Sequence, residues 1–129
     1  MLALSSRVKV DSVKDQSFDG VFIRGGHGPM VDLSRDSTLH ELIARYDAEG
    51  KLVAAMCHGL PAQVYAKRSN GEPFFKGRRA TGFTNTEERL AGLKDVVPFL
   101  LEDAMEDLAP ISTRGWSPCS ATSSRMEIC

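Results

Sequence analysis

The residues best equipped for chemistry stand together in Lys51-Leu52-Val53-Ala54-Ala55-Met56-Cys57-His58-Gly59-Leu60-Pro61-Ala62. The apolar run from Leu52 to Met56 reads as a buried strand, and a helical pattern continues from Leu60 to Lys67. A reactive residue at a tight strand-to-helix turn is a nucleophile elbow. Such a turn needs small neighbours, because the nucleophile occupies a strained backbone conformation. Ala55 lies two before Cys57 and Gly59 two after, the small-x-nucleophile-x-small pattern with sulfur in place of a hydroxyl. Backbone N–H groups at the start of the next helix and the neighbouring imidazole of His58 favour a thiolate over a thiol. The chemistry indicated is covalent catalysis by sulfur. The alternative is a buried structural cysteine, the commoner fate of a lone one.

A second group of interest follows the strand-like run Gly20-Val21-Phe22-Ile23, where Arg24-Gly25-Gly26-His27-Gly28-Pro29 lets backbone N–H groups approach a ligand or a reacting oxygen. It has neither GxGxxG spacing nor a Gly-Lys-Ser/Thr ending, so it is not a phosphate loop. A tight turn is the plainer reading, and His27 alone is more often a loop histidine than a catalyst. The third group is Glu87-Glu88, in the first turn of a helix capped by Thr84 or Asn85. Complementing the helix dipole is their plainer role, catalysis the sharper one.

The elements that must position these groups form a βαβ unit. A helix opens at Asp36-Ser37-Thr38, with Ser37 or Thr38 as cap and Glu41 closing a capping box. Leu39, Leu42, Ile43 and Tyr46 make its apolar stripe, and Gly50 ends it. The elbow strand follows at once, so strand, helix and strand make a parallel pair with a crossover. Arg7 to Val10 alternates as a short strand would, Ser69 to Pro73 is a turn, and Arg79 to Phe83 reads as another strand. Val96 to Leu108 reads as a helix with Pro98 in its first turn. Its inward face would be Val97, Leu100, Leu101, Ala104 and Leu108, with Glu102, Asp103, Glu106 and Asp107 as a solvated face. The serine-rich stretch 110–129 has no period and reads as an irregular tail, after a single domain at 1–109.

Bulk properties narrow the function classes. With 129 residues, 42% hydrophobic and 26% charged, the sequence reads as one globular domain with a modest core. A net charge of -1 gives no reason to expect nucleic acid or an anionic membrane as partner. No apolar run is long enough to span a bilayer, and Met1 to Leu4 is too short for a signal-peptide core. Cys57, Cys119 and Cys129 show neither a disulfide framework nor zinc spacing, so neither metal nor cofactor is expected and the expected setting is the reducing cytoplasm.

Four stretches together resemble one family. They are Phe18 to Gly28, Ala54 to Gly59, Gly77 to Glu88 and Val96 to Asp103. Their order and spacing are similar to the DJ-1/PfpI superfamily, a branch of the class I glutamine amidotransferase-like fold, and within it to the glyoxalase III, chaperone-like subgroup. The resemblance covers residues 10–109. It implies a flavodoxin-like three-layer α/β sandwich with a parallel sheet. It makes Cys57 the nucleophile, His58 its partner and Glu88, rather than Glu87, the triad acid. It implies an oxyanion hole at the N–H groups of Gly25 or Gly26 and of His58, in keeping with the way glycine loops and helix starts stabilise developing oxyanions.

The implied reaction is cofactor-independent conversion of methylglyoxal, a small 2-oxoaldehyde, to lactate. The sequence departs from the family pattern at both ends. The family's first central strand and helix, which carry a further glutamate near the cysteine, are not matched, and neither is anything after residue 109. The expectations drawn from this are an incomplete sheet, a marginal monomer that associates, as in a homodimer, and impaired turnover. An intracellular cysteine peptidase and a non-catalytic chaperone or stress-response module are the rival readings. A glutaminase is disfavoured, because the histidine there is remote in sequence whereas here the only candidate partner is adjacent.

Overall fold

The computed structural model describes residues 7–78, 80 and 82–108. In chain order the elements are α1 (Val10–Val13), β1 (Gly20–Ile23), α2 (Gly28–Val31), a 3-10 turn (Leu33–Arg35), α3 (Ser37–Ala48), β2 (Leu52–Ala55), a 3-10 turn (Cys57–Gly59), α4 (Pro61–Val64), α5 (Asn85–Leu90) and α6 (Leu101–Leu108). β1 and β2 are parallel, with Gly20 opposite Leu52, Val21 opposite Val53, Phe22 opposite Ala54 and Ile23 opposite Ala55. The connection through α2 and α3 is the helical crossover that a parallel pair requires. This is the α/β fold expected from the sequence, with a partial parallel sheet.

Side-chain alternation along the strands decides what each face does. Ile23, Val53 and Ala55 join Leu39, Ile43 and Tyr46 of α3, Leu60 and Ala62 behind the elbow, and Leu101 and Met105 of α6 in one core. Each valine, leucine, isoleucine or methionine among them, removed from water, contributes roughly 1.5–3 kcal/mol, and each alanine less. The α3 stripe is the expected one, with Leu42 packed at its margin. The other face of the sheet is open: Phe22 is 61% and Leu52 58% exposed, with Met56 and Phe18 close behind. Parallel sheets ordinarily bury both faces. The protein is therefore expected to self-associate, read as a sedimentation coefficient that rises with concentration. A dilute, non-associating monomer with a sharp thermal transition would contradict that.

Several local expectations are corrected. Asp36, not Ser37 or Thr38, caps α3, its Oδ1 accepting from Leu39 N at 3.0 Å. The acid reaches the same orphan N–H one residue earlier, and Thr38 Oγ1 instead donates to Asp11 Oδ1 at 2.9 Å. Gly50 does end the helix in the left-handed region, at φ 69°, while Lys51 N donates to Tyr46 O at 2.8 Å. Val10–Val13 is a helical turn rather than a strand end. The pattern from Leu60 to Lys67 yields only α4, one turn long, before the chain turns away.

Further along, α6 begins at Leu101 rather than Val96, because the chain is still turning through Pro98. Its buried residues are Leu101 and Met105, while Leu108 is outside the core. Gly82 and Phe83 lie in no strand, and Arg79 and Thr81 fall outside the described residues, as does the stretch 110–129. No helix among the described residues is long and apolar enough to cross a membrane.

One close approach locks the elbow onto β1. A Cβ added at Gly59 would lie 2.5 Å from Ile23 O and 3.0 Å from Arg24 O. Backbone cannot yield as a flexible side chain can, so Gly59→Ala is expected to destabilise the fold by about 1–3 kcal/mol, like other forced overpacking. A urea unfolding midpoint unchanged by the substitution would show that the strand end and the elbow are not in this contact.

Candidate active site

The sheet brings two loops to one end. In a parallel pair the segments after both strands leave from the same edge, and ligand sites in open α/β sheets form there. The loop after β1 is Arg24 to His27, and the loop after β2 is the elbow. Met56 is extended at φ -135° and ψ 150°, and Cys57 follows at φ 51°. Cys57 is the one non-glycine residue with positive φ among those described. Left-handed backbone costs an L-residue about 1–2 kcal/mol. The turn closes with Gly59 N donating to Met56 O at 2.9 Å, and Pro61 starts α4 where a missing N–H does no harm. The thiol of Cys57 is thereby exposed at the tip of the turn.

His58 points the other way, into the protein, and is 1% exposed. Its Nδ1 lies 3.1 Å from Cys57 Sγ, and its Nε2 lies 2.6 Å from Glu88 Oε2. A carboxylate only accepts, so Nε2 carries the proton and Nδ1 turns its lone pair toward sulfur. That tautomer can take a proton from the thiol. The ring of Phe83 packs against His58 with centroids 4.6 Å apart and limits its swing.

Glu88 is 2% exposed and is aimed by its helix. Thr84 Oγ1 accepts from Glu87 N at 3.2 Å, and Glu87 Oε2 accepts from Thr84 N at 2.8 Å, a complete capping box. Glu87 is thus occupied as a cap, and the next residue round the helix, Glu88, faces His58. Asn85 pins α5 to α6, its N donating to Glu102 Oε2 at 2.6 Å and its Nδ2 to Asp103 Oδ1 at 2.7 Å. Glu102 and Asp103 therefore have a structural use that a solvated face did not anticipate. The Arg78–Asp47 ion pair, at 2.5 Å, anchors the preceding segment to α3.

The glycine loop lies directly over the elbow. A Cβ at Gly25 would meet Cys57 Cβ at 2.9 Å, Met56 O at 3.0 Å and His58 N at 3.6 Å. Gly25 is thus glycine because the backbone of Met56 to His58 passes there. Gly26 follows at φ 116°. His27, read from the sequence as a loop residue, belongs to the site. Its Nε2 is 3.2 Å from Glu88 Oε1, and its ring is 4.2 Å from that of His58. One carboxylate thus holds two imidazoles, His58 buried and His27 with its side chain 45% exposed. The available signal was the place of His27 after a strand parallel to the elbow strand, which obliges the two loops to meet.

The profile of the DJ-1/PfpI family matches residues 3–112. The chain belongs to the DJ-1/PfpI family. Within it, glyoxalase 3 of Candida albicans is 31% identical over 98 residues, which are 74% of this chain and 41% of that protein. A glutathione-independent glyoxalase of Schizosaccharomyces pombe is 32% identical over 109 residues, 82% of this chain and 43% of that one. Among solved structures, the rapid encystment protein of Francisella tularensis superposes with a TM-score of 0.71 at 34% identity, covering 85% of this chain and 48% of that chain. Glyoxalase III of Candida albicans superposes with a TM-score of 0.65 at 27% identity, covering 70% and 40%. The chain spans roughly two fifths of the length of these curated relatives.

Proposed function

We propose that this DJ-1/PfpI chain carries the nucleophilic site of a glutathione-independent glyoxalase, converting methylglyoxal and water to lactate. The observation that supports the reading most strongly is the unbroken line from Cys57 Sγ through His58 to Glu88, at 3.1 and 2.6 Å. His58 Nδ1 takes the thiol proton, and sulfur attacks the aldehyde carbon to form a hemithioacetal. The proton on that carbon moves to the neighbouring carbonyl carbon through an enediol, leaving a thioester. Water then cleaves the thioester, which releases lactate and returns the thiol. The N–H groups of Gly25, Gly26 and His58 are the donors assigned to the oxyanion. His58 is the base named for the proton transfer, and His27, on the same carboxylate, supplies a second imidazole at the mouth.

The test is lactate production by the purified protein from methylglyoxal with no glutathione present. Lactate formed by the parent and not by Cys57→Ala supports the proposal; none from a folded sample overturns it. The open face around Phe22 and Leu52 favours a second reading, a holdase for unfolded chains. Suppression of client aggregation that survives Cys57→Ala and fails in Phe22→Ser would favour that reading.

A further inference from the structure

His27, His58 and Glu88 present one nitrogen or oxygen ligand atom each, all within 4.8 Å of one another. The site chemistry uses His58 and Glu88 as a proton line, which leaves the convergence of a second imidazole on the same carboxylate unexplained. Two histidines and a glutamate are a donor set for a borderline divalent ion such as Zn²⁺, with one coordination position left for water. We propose that these three side chains form a Zn²⁺ site that competes with the proton line.

The geometry suits this in three respects. Both imidazoles face Glu88 with Nε2, at 2.6 and 3.2 Å, so the nitrogens that donate to the carboxylate would, on losing that proton, turn lone pairs to an ion beside it. Tetrahedral ligands at bonds of about 2.0–2.2 Å lie roughly 3.3 Å apart. The cluster must therefore close somewhat, and His27, half-exposed on its loop, is the member able to move and the side from which an ion enters. Finally, His58 Nδ1 has an outer partner in Cys57 Sγ at 3.1 Å, the kind of contact that fixes a metal-binding imidazole in orientation and tautomer. With zinc on Nε2, the ring's one proton moves to Nδ1 and faces sulfur. His58 can then no longer relieve the thiol of its proton. A filled site is a reversibly switched-off site; this consequence rests on the glyoxalase reading, whereas the binding itself does not.

The binding test uses the full chain with Cys57→Ser, Cys119→Ser and Cys129→Ser, so that no thiol contributes. Calorimetric titration with Zn²⁺ is expected to give one ion per chain. The ring resonances of His27 and His58 are expected to shift, while those of His40, the third histidine of the chain, stay in place. His27→Asn is expected to weaken binding at least about tenfold, since even the loss of an outer partner costs that much, and His40→Asn to leave it unchanged. No binding, equal affinity after His27→Asn, or shifts confined to His40 would overturn the site. None of these readouts involves Cys57 or turnover, so failure of the zinc site and failure of the glyoxalase reading are separable.

Discussion

Cys57→Ala is expected to abolish lactate formation and covalent labelling while leaving the fold intact. The thiol is exposed at the tip of the elbow and supports no core contact, so its removal opens no cavity. What the residue does bear is conformational cost, at φ 51°. Alanine keeps that cost, because it keeps a Cβ. Glycine removes it, so Cys57→Gly is expected to be equally inactive yet neutral to about 1 kcal/mol more stable than the parent. A gain in stability together with loss of activity is the signature of strain held at a functional site. Matched urea unfolding of the two variants measures it. An alanine variant that retains turnover would remove the covalent mechanism.

Glu88→Gln is expected to lower turnover about 10²–10⁴-fold, the range typical of lost acid–base assistance, with little change in stability. The shape of the side chain is kept, but the acceptor-only group is not. An amide can donate to His58 Nε2, which moves the imidazole proton to Nδ1 and points it at Cys57. The histidine then cannot accept the thiol proton. The effect should appear in kcat more than in KM, since Glu88 acts through His58 rather than on substrate. Glu88→Ala would confuse the two effects, because it leaves a buried imidazole nitrogen unpaired at about 1–3 kcal/mol. Equal turnover by Glu88→Gln and the parent would show that the carboxylate does not set the tautomer.

The elbow was legible in the sequence because its requirements are local: small residues at Ala55 and Gly59, an apolar strand before, a helical pattern after. β1, β2 and the α3 stripe were legible for the same reason. Choosing between Glu87 and Glu88 was not a local matter. Both fit the first turn of α5, and only the capping box at Thr84, which uses Glu87, leaves Glu88 for His58. The family resemblance supplied that choice before the packing explained it.

Two failures have tertiary causes. His27 looked like an ordinary turn residue because its partner is 61 positions away. The acids of α6 looked solvated because Asn85, which Glu102 and Asp103 hold, comes from another helix. The boundaries of α3 and α6 shifted because an aspartate one residue upstream is the cap that reaches the helix N–H, and because the chain keeps turning through Pro98.

With Cys57 seated on His58 and Glu88, its thiol is expected to be the reactive one of the three in the chain. Limited iodoacetamide treatment of the native chain, followed by peptide mass spectrometry, measures that reactivity. Cys57 should carry the label well before Cys119 and Cys129, and that preference should shrink in Glu88→Gln and vanish in urea. Equal labelling of the three cysteines in the folded protein would contradict it.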